Sequence, residues 1–285
     1  MATTITHLQG RTGWALDVER EIWPIAQPLA ISGRVFSSTE VIVATITDGL
    51  AVGRGEATGV YYLEDTFRMM TQLRDVLPRI ERGIDRAELC ELLPPGGARN
   101  AVDCALWDLE AKLSGAPVWR LIGMEPPRTL VTVVTIGAGR PETMARSALL
   151  EEPFRSATAL KLKLTGEFEL DEQRVSAVRR ARPDAWIAVD ANQAFRPPDL
   201  VRLVEMLSNH GVGLLEQPLP RGEEAALDGL SSPIPIIADE SVQSSIDIAA
   251  LAGRFDGINI KLDKCGGLTE ALRMIAQARR LGLKV

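Results

Sequence analysis

The sequence is poor in the residues that build disulfides and zinc sites: three cysteines and two histidines in 285 residues. Cys90, Cys104 and Cys265 lie far apart and form no CxxC pair, which excludes a disulfide framework and a cysteine-held zinc. His7 and His210 read as terminal and surface residues, so histidine-based catalysis has no support. Basic residues are also in the minority, 32 Lys and Arg against 38 Asp and Glu, for a net charge of −6. No dense basic stripe appears, which argues against a nucleic-acid partner. No apolar run approaches the roughly 18 residues of a membrane span. The N-terminal stretch MATTITHLQGRTGWALDVERE has no apolar signal core, so a cytoplasmic location is expected. Neither GxGxxG after the first strand nor GxxxxGK[ST] occurs, so a phosphate cradle is unsupported. What is present is a globular composition, 46% hydrophobic and 25% charged, with enough apolar residues for a sizeable core.

Residues 1–13 read as an untethered start. WPIAQPLAI and STEVIVATITDGLAVGRGEA then read as strands, the second broken by a DG turn signal. Residues 64–82 and 85–93 read as helices, with apolar residues three and four apart. GGARNAVDCALWDLEAKLSG reads as a strong helix, with Val102, Leu106, Leu109 and Leu113 on one face, Trp107 as core and Gly115 as the stop. Residues 14–128 are therefore expected to form an α+β unit. After EPPRTL, short apolar runs alternate with helical stretches. The runs are VTVVTIG, ALKLKL, WIAVD, VGLLEQP, IPIIADES and GINIKL. Strand–helix alternation at this spacing predicts βα units and a parallel sheet. One helical layer between strands favours a (β/α) barrel over an open doubly wound sheet.

The acids fall at strand ends. Asp190 ends WIAVD, Glu216 ends GLLE and Asp239 follows IIA, spaced 26 and 23 residues apart, about one βα unit each. Any one of them could cap the next helix. Three at matched positions converge at the C-terminal mouth of a barrel, where active sites sit. Converging carboxylates repel unless a cation neutralises them. All-oxygen ligation points to a hard divalent ion, Mg²⁺, with Mn²⁺ as the alternative.

Lys161 and Lys163 are two apart in ALKLKL, so they share one strand face while Leu160, Leu162 and Leu164 take the other. The leucine face packs on helices, which turns the lysines into the barrel. Lys261 closes GINIK on the sixth strand, opposite the second in an eight-stranded ring. A lysine on each side of a cation site suits inversion at a carbon next to a carbonyl. One lysine takes the α-proton, the metal stabilises the resulting enolate and the other lysine returns a proton. This chemistry leads one to expect Lys163 and Lys261 below the ordinary lysine value of about 10.4.

The elements KLK, VDAN, LLEQPLP, ADES and NIKLDKCGG, in this order and spacing, resemble the enolase superfamily in its muconate-lactonizing-enzyme-like branch. Within that branch the sequence looks most like the dipeptide epimerases acting on L-Ala-D/L-Glu, over residues 22–285. The resemblance implies a modified TIM (β/α) barrel, incomplete at the C-terminus, with an N-terminal α+β capping domain. The cap would span 14–128 and the barrel 129–285. It implies Asp190, Glu216 and Asp239 as Mg²⁺ ligands and Lys163 and Lys261 as the two acid/bases. Lys161 would sit beside the substrate carboxylate. Arg34, in the loop ISGRVFSS, would hold the glutamyl side chain. Asn192 and Glu240, next to ligands in sequence, would support them. The substrate would be a dipeptide or acyl-amino acid, in murein-peptide recycling by family analogy. Muconate cycloisomerase, o-succinylbenzoate synthase and N-acylamino-acid racemase share the scaffold, and a barrel without turnover is a further alternative.

The barrel segment holds 157 residues, against about 250 for a typical TIM barrel. Six strands read as complete, a seventh begins at GLKV, and the eighth, which in dipeptide epimerases carries an Asp-x-Asp motif for the α-ammonium, is not found. The expectation is therefore a fragment of a longer product, or a chain that pairs its open edges with a second copy as a homo-oligomer.

Overall fold

The structure is a computed structural model that describes residues 4–5, 13–31, 34–60 and 65–285. Its first sheet is antiparallel, in the order β1 (Thr4–Ile5), β2 (Ala15–Ile31), β3 (Arg34–Thr47) and β4 (Val52–Thr58). Thr4 and Ile5, the described residues of the expected untethered start ahead of Gly13, pair with Glu19 and Val18. The strand expected from Trp23 begins at Ala15, because Leu16 and Val18 alternate inward with charged neighbours outward. The expected DG turn joins β3 to β4, with Asp48 Oδ1 accepting from the amides of Leu50 and Ala51 at 2.9 and 3.1 Å.

Helices α1 (Thr66–Ile80), α2 (Arg86–Leu92) and α3 (Gly97–Ser114) cover one face of this sheet. Asp65 caps α1, Asp85 caps α2, and Gly115 ends α3 in the left-handed region at φ 65°. Gly53 and Gly55 let β4 lie directly on α3: a Cβ at either would collide with the carbonyl oxygens of Ala105 and Ala101. Leu113, expected on the buried face of α3, is 47% exposed, because the sheet ends short of it. A short helix α4 (Val118–Leu121) follows.

The second sheet is parallel and six-stranded, in the order β10-β9-β8-β7-β6-β5. Its strands are β5 (Val134–Ile136), β6 (Ala159–Lys163), β7 (Trp186–Asp190), β8 (Leu214–Glu216), β9 (Ile236–Ala238) and β10 (Gly257–Ile258). Helices α5 (Pro141–Leu150), α6 (Phe168–Ala181), α7 (Leu200–Asn209) and α8 (Ser245–Leu251) lie between them, and α9 (Leu262–Cys265) and α10 (Leu268–Arg280) follow. Leu160, Leu162, Ile187, Val189 and Leu215 pack on Val175, Val178, Leu203 and Leu207 of the helices in one core, separate from the core of the first sheet. The opposite sheet face therefore carries the polar side chains. Gly257 makes one parallel bridge to Lys284, the start of the seventh strand read from GLKV. This is a modified (β/α) barrel with an antiparallel capping sheet. Among the described residues no helix is long and apolar enough to cross a membrane.

Candidate active site

Parallel pairing aligns the strand ends into one row. Lys163 pairs laterally with Asp190, and Asp190 with Glu216. Asp239 lies one residue past β9, and Lys261 three past β10. Along the sheet the order is lysine, aspartate, glutamate, aspartate, lysine. The three acids are buried, and one carboxylate oxygen of each lies within 4.8 Å of the others.

Each carboxylate has one oxygen pinned by a different donor. Asp190 Oδ1 accepts from the Asn192 amide at 3.0 Å, Glu216 Oε1 from Asn259 Nδ2 at 3.1 Å, and Asp239 Oδ1 from Lys264 Nζ at 2.5 Å. The other oxygens carry the lysines on the polar face. Lys163 Nζ is 2.6 Å from Asp190 Oδ2, Lys261 Nζ is 2.5 Å from Asp239 Oδ2, and Lys161 bridges Glu216 Oε2 at 2.5 Å and Asp190 Oδ2 at 3.0 Å. Three buried acceptor-only groups, each with an oxygen turned to a shared space, fit a hard divalent ion such as Mg²⁺.

The electrostatics follow from burial and from this alternation of sign. Burial pushes the Glu216 carboxyl up, and the Asp190 charge adds to that. Burial would also raise Asp190 and Asp239, but the lysines beside each hold both below the ordinary carboxylate value. For Lys161, burial opposes the charge, yet Asp190 and Glu216 outweigh it and raise its value. Lys261 behaves likewise: burial lowers it, and Asp239 lifts it above the ordinary lysine value. The expectation of a lowered Lys261 is therefore corrected, because its nearest neighbour is a carboxylate, not another cation. Glu240, 2% exposed, is pushed up to about 7 by burial and then by the Asp239 charge.

Asn192 and Glu240 do meet, through Asn192 Nδ2 to Glu240 Oε1 at 3.1 Å, and Asn192 Oδ1 accepts from Lys163 Nζ at 2.8 Å. Arg34 opens β3, paired with Ile31, instead of lying in a loop; its side chain is outside the described residues, as is His7. Trp107 is core, as expected, and its Nε1 also donates to Thr269 Oγ1 at 3.0 Å. Three residues of this site were not among the expected site residues. Asn259 pins Glu216, and Lys264, 1% exposed, reaches Asp239. Gln217 Oε1 accepts from the amides of Asp239 and Ser241 at 2.9 and 3.1 Å, which fixes the loop after β9. The one available signal was proximity: each lies within three residues of an acid or lysine already singled out.

Residues 15–123 match the mandelate racemase / muconate lactonizing enzyme N-terminal domain, and residues 143–285 match the enolase C-terminal domain-like family. An L-Ala-D/L-Glu epimerase of Escherichia coli (strain K12) is 40% identical over 269 residues, covering 94% of this chain and 83% of that relative. An N-acetyl-D-glutamate racemase of a Pseudoalteromonas species is 38% identical over 204 residues, covering 72% and 63% of the two chains. Among solved structures, a dipeptide epimerase from Methylococcus capsulatus complexed with Mg and the dipeptide L-Arg-D-Lys superposes with a TM-score of 0.86 at 30% identity, over 95% of this chain and 81% of that one. With both domain models matched and this arrangement of acids and lysines at the barrel mouth, the chain belongs to the mandelate racemase / muconate lactonizing enzyme family of the enolase superfamily.

Proposed function

We propose that this protein is a Mg²⁺-dependent isomerase that epimerises dipeptides of the L-Ala-D/L-Glu type at the α-carbon next to the terminal carboxylate. The observation that carries the reading is the row itself: a lysine on each side of three buried carboxylates, in a chain 40% identical to an L-Ala-D/L-Glu epimerase. Asp190, Glu216 and Asp239 would hold the ion, which supplies positive charge against the negative charge that develops on the substrate carboxylate. Lys161, kept charged by Glu216 and Asp190, pairs with the same carboxylate.

Lys163 and Lys261 approach the α-carbon from opposite faces. In one direction Lys163 takes the α-proton and Lys261, held protonated by Asp239, delivers a proton to the other face. The enzyme then has a neutral Lys261 and a charged Lys163, the state needed to run the opposite epimer. Asn192 and Glu240 steady this arrangement, and Arg34 takes the side-chain carboxylate of the substrate. The boundary between cap and barrel falls at 128/129, supported by the two separate cores. A small-molecule substrate and a cytoplasmic location complete the reading, with Mn²⁺ as a substitute ion.

The Pseudoalteromonas relative favours a second reading, racemisation of an N-acylamino acid. The two differ in whether the acyl group on the reacting residue carries a free α-ammonium. Purified protein with Mg²⁺ is incubated in D₂O with L-Ala-L-Glu and, separately, with N-acetyl-D-glutamate. Deuterium at the glutamyl α-carbon of the dipeptide, far faster than in the acylated amino acid, is expected. Exchange confined to N-acetylglutamate selects the second reading, and exchange in neither removes both.

A further inference from the structure

Lys163 is clamped by two acceptors, Asp190 Oδ2 at 2.6 Å and Asn192 Oδ1 at 2.8 Å. A carboxylate accepts hydrogen bonds in any orientation. The Asn192 amide does not, because one end accepts and the other donates. Turned over, it would point its NH₂ at the lysine ammonium, donor against donor. Something must therefore set its orientation.

The partner at its other end is Glu240, whose Oε1 accepts from Asn192 Nδ2 at 3.1 Å. Glu240 is 2% exposed, and its second oxygen, Oε2, is buried with no hydrogen-bond partner among the described residues. Leaving a buried carboxylate oxygen unpaired costs free energy, so this side chain is not placed there for stability. Its backbone is held rigidly: Gln217 Oε1 takes the amides of both flanking residues, Asp239 and Ser241, and Gln217 is itself fully buried. Asn192 is fixed from its own side as well. Its backbone is in the left-handed region at φ 42°, and its amide donates to Asp190 Oδ1 at 3.0 Å. The side-chain amide itself is held at its two ends, by Lys163 on the oxygen and by Glu240 on the nitrogen.

Lys261 stands in different surroundings. Its side chain is 42% exposed, and among the described residues its hydrogen bond goes to Asp239. Among the described residues no hydrogen bond joins Glu240 to it.

We infer that Glu240 is a positioning residue for Lys163 alone: by accepting from Asn192 Nδ2 it turns the Asn192 oxygen toward the lysine and holds that base on its face of the substrate. This inference rests on the two-lysine reading above. It extends that reading by making the two faces of the reaction separately adjustable.

The test measures initial α-deuterium exchange in D₂O at saturating Mg²⁺, with L-Ala-L-Glu and L-Ala-D-Glu separately, for the wild type, Glu240→Leu and Glu240→Gln. Glu240→Leu should lower exchange from the one epimer that presents its proton to Lys163 by about 10- to 100-fold. Exchange from the other epimer should change by less than about threefold. Glu240→Gln, which keeps an acceptor for Asn192, should restore the lost exchange. Equal losses for both epimers would mean a general structural role and overturn the inference. Crystal structures of the wild type and Glu240→Leu decide the point independently of turnover. Asn192 Oδ1 should leave Lys163 Nζ in the variant; an unchanged contact overturns the inference. If the wild type exchanges neither epimer, the epimerase reading fails, and the two crystal structures still decide what Glu240 orients.

Discussion

Asn100, on α3 of the capping unit, donates its side-chain amide to Asp263 at 2.8 Å, two residues beyond Lys261 of the barrel. Its neighbours extend the junction. Arg99 reaches the carbonyls of Cys265 at 2.5 Å and Gly266 at 3.2 Å, and Asp103 accepts from the amide of Thr269 at 3.0 Å. The segment that carries Lys261 and Lys264 is thus held in place by a helix from the other sheet.

Gly267 is a tight point of that junction. Its φ is 110°, and a Cβ there would meet the Asp103 carboxylate. Gly267→Ala should destabilise the fold by about 1–3 kcal/mol or more through backbone strain and overpacking. Urea unfolding checks it. Gly229→Ala, with φ 77° but open space around it, should cost less and serves as the control.

Asp263 gives the junction a pH dependence. Burial raises its carboxyl above the ordinary 3.8, only partly offset by the hydrogen bonds from Asn100 and Thr58. A raised acid binds its proton more tightly folded than unfolded. Its ionisation cost is therefore absent below 3.8, grows up to the folded value and stays constant above it. Asp263→Asn keeps an acceptor without the charge. It should be more stable than the wild type at pH 7, with the gain vanishing as pH falls toward 4. Paired urea titrations across this range test the prediction, and a difference independent of pH would refute it.

Lys264 is the buried counter-charge of Asp239. Lys264→Met leaves that carboxylate oxygen without its cation. Loss of one partner of a buried pair should cost about 3–5 kcal/mol in protein without metal. Chemical denaturation in the presence of a chelator measures it, and a loss below 1 kcal/mol would show the pair to be replaceable.

Magnesium should stabilise the native state in proportion to its binding, by about 2.7 kcal/mol at a hundred times its Kd. Asp239→Asn and Glu216→Gln should abolish that increment, while Asp228→Asn, outside the cluster, should keep it. Calorimetric titration with Mg²⁺ alone reads the same loss directly.

The barrel and its row of acids and lysines were legible because each rests on a local regularity. Strand–helix alternation, the period of two in ALKLKL, and an acid at the end of three consecutive apolar runs survive in one dimension. Asn259, Gln217 and Lys264 were not legible as site residues. Their partners lie on neighbouring strands, and the sheet register that joins them is a property of the whole fold. α3 was read by its apolar face. The polar stripe of Arg99, Asn100 and Asp103 carries no such local regularity, and all three are buried against the lysine segment. The direction of the Lys261 shift was missed for a similar reason. It depends on which charge is nearest, and Asp239 is at 2.5 Å.

The proposed mechanism sets Lys163 and Lys261 on opposite faces of one α-carbon. It is tested most directly by α-deuterium exchange in D₂O with Lys163→Ala and Lys261→Ala, each given L-Ala-L-Glu and L-Ala-D-Glu separately. Both variants should lose epimerisation by at least about 10²-fold, while each still exchanges one epimer, and not the same one. Loss of exchange from the same epimer in both variants, or full epimerisation by either, would contradict it.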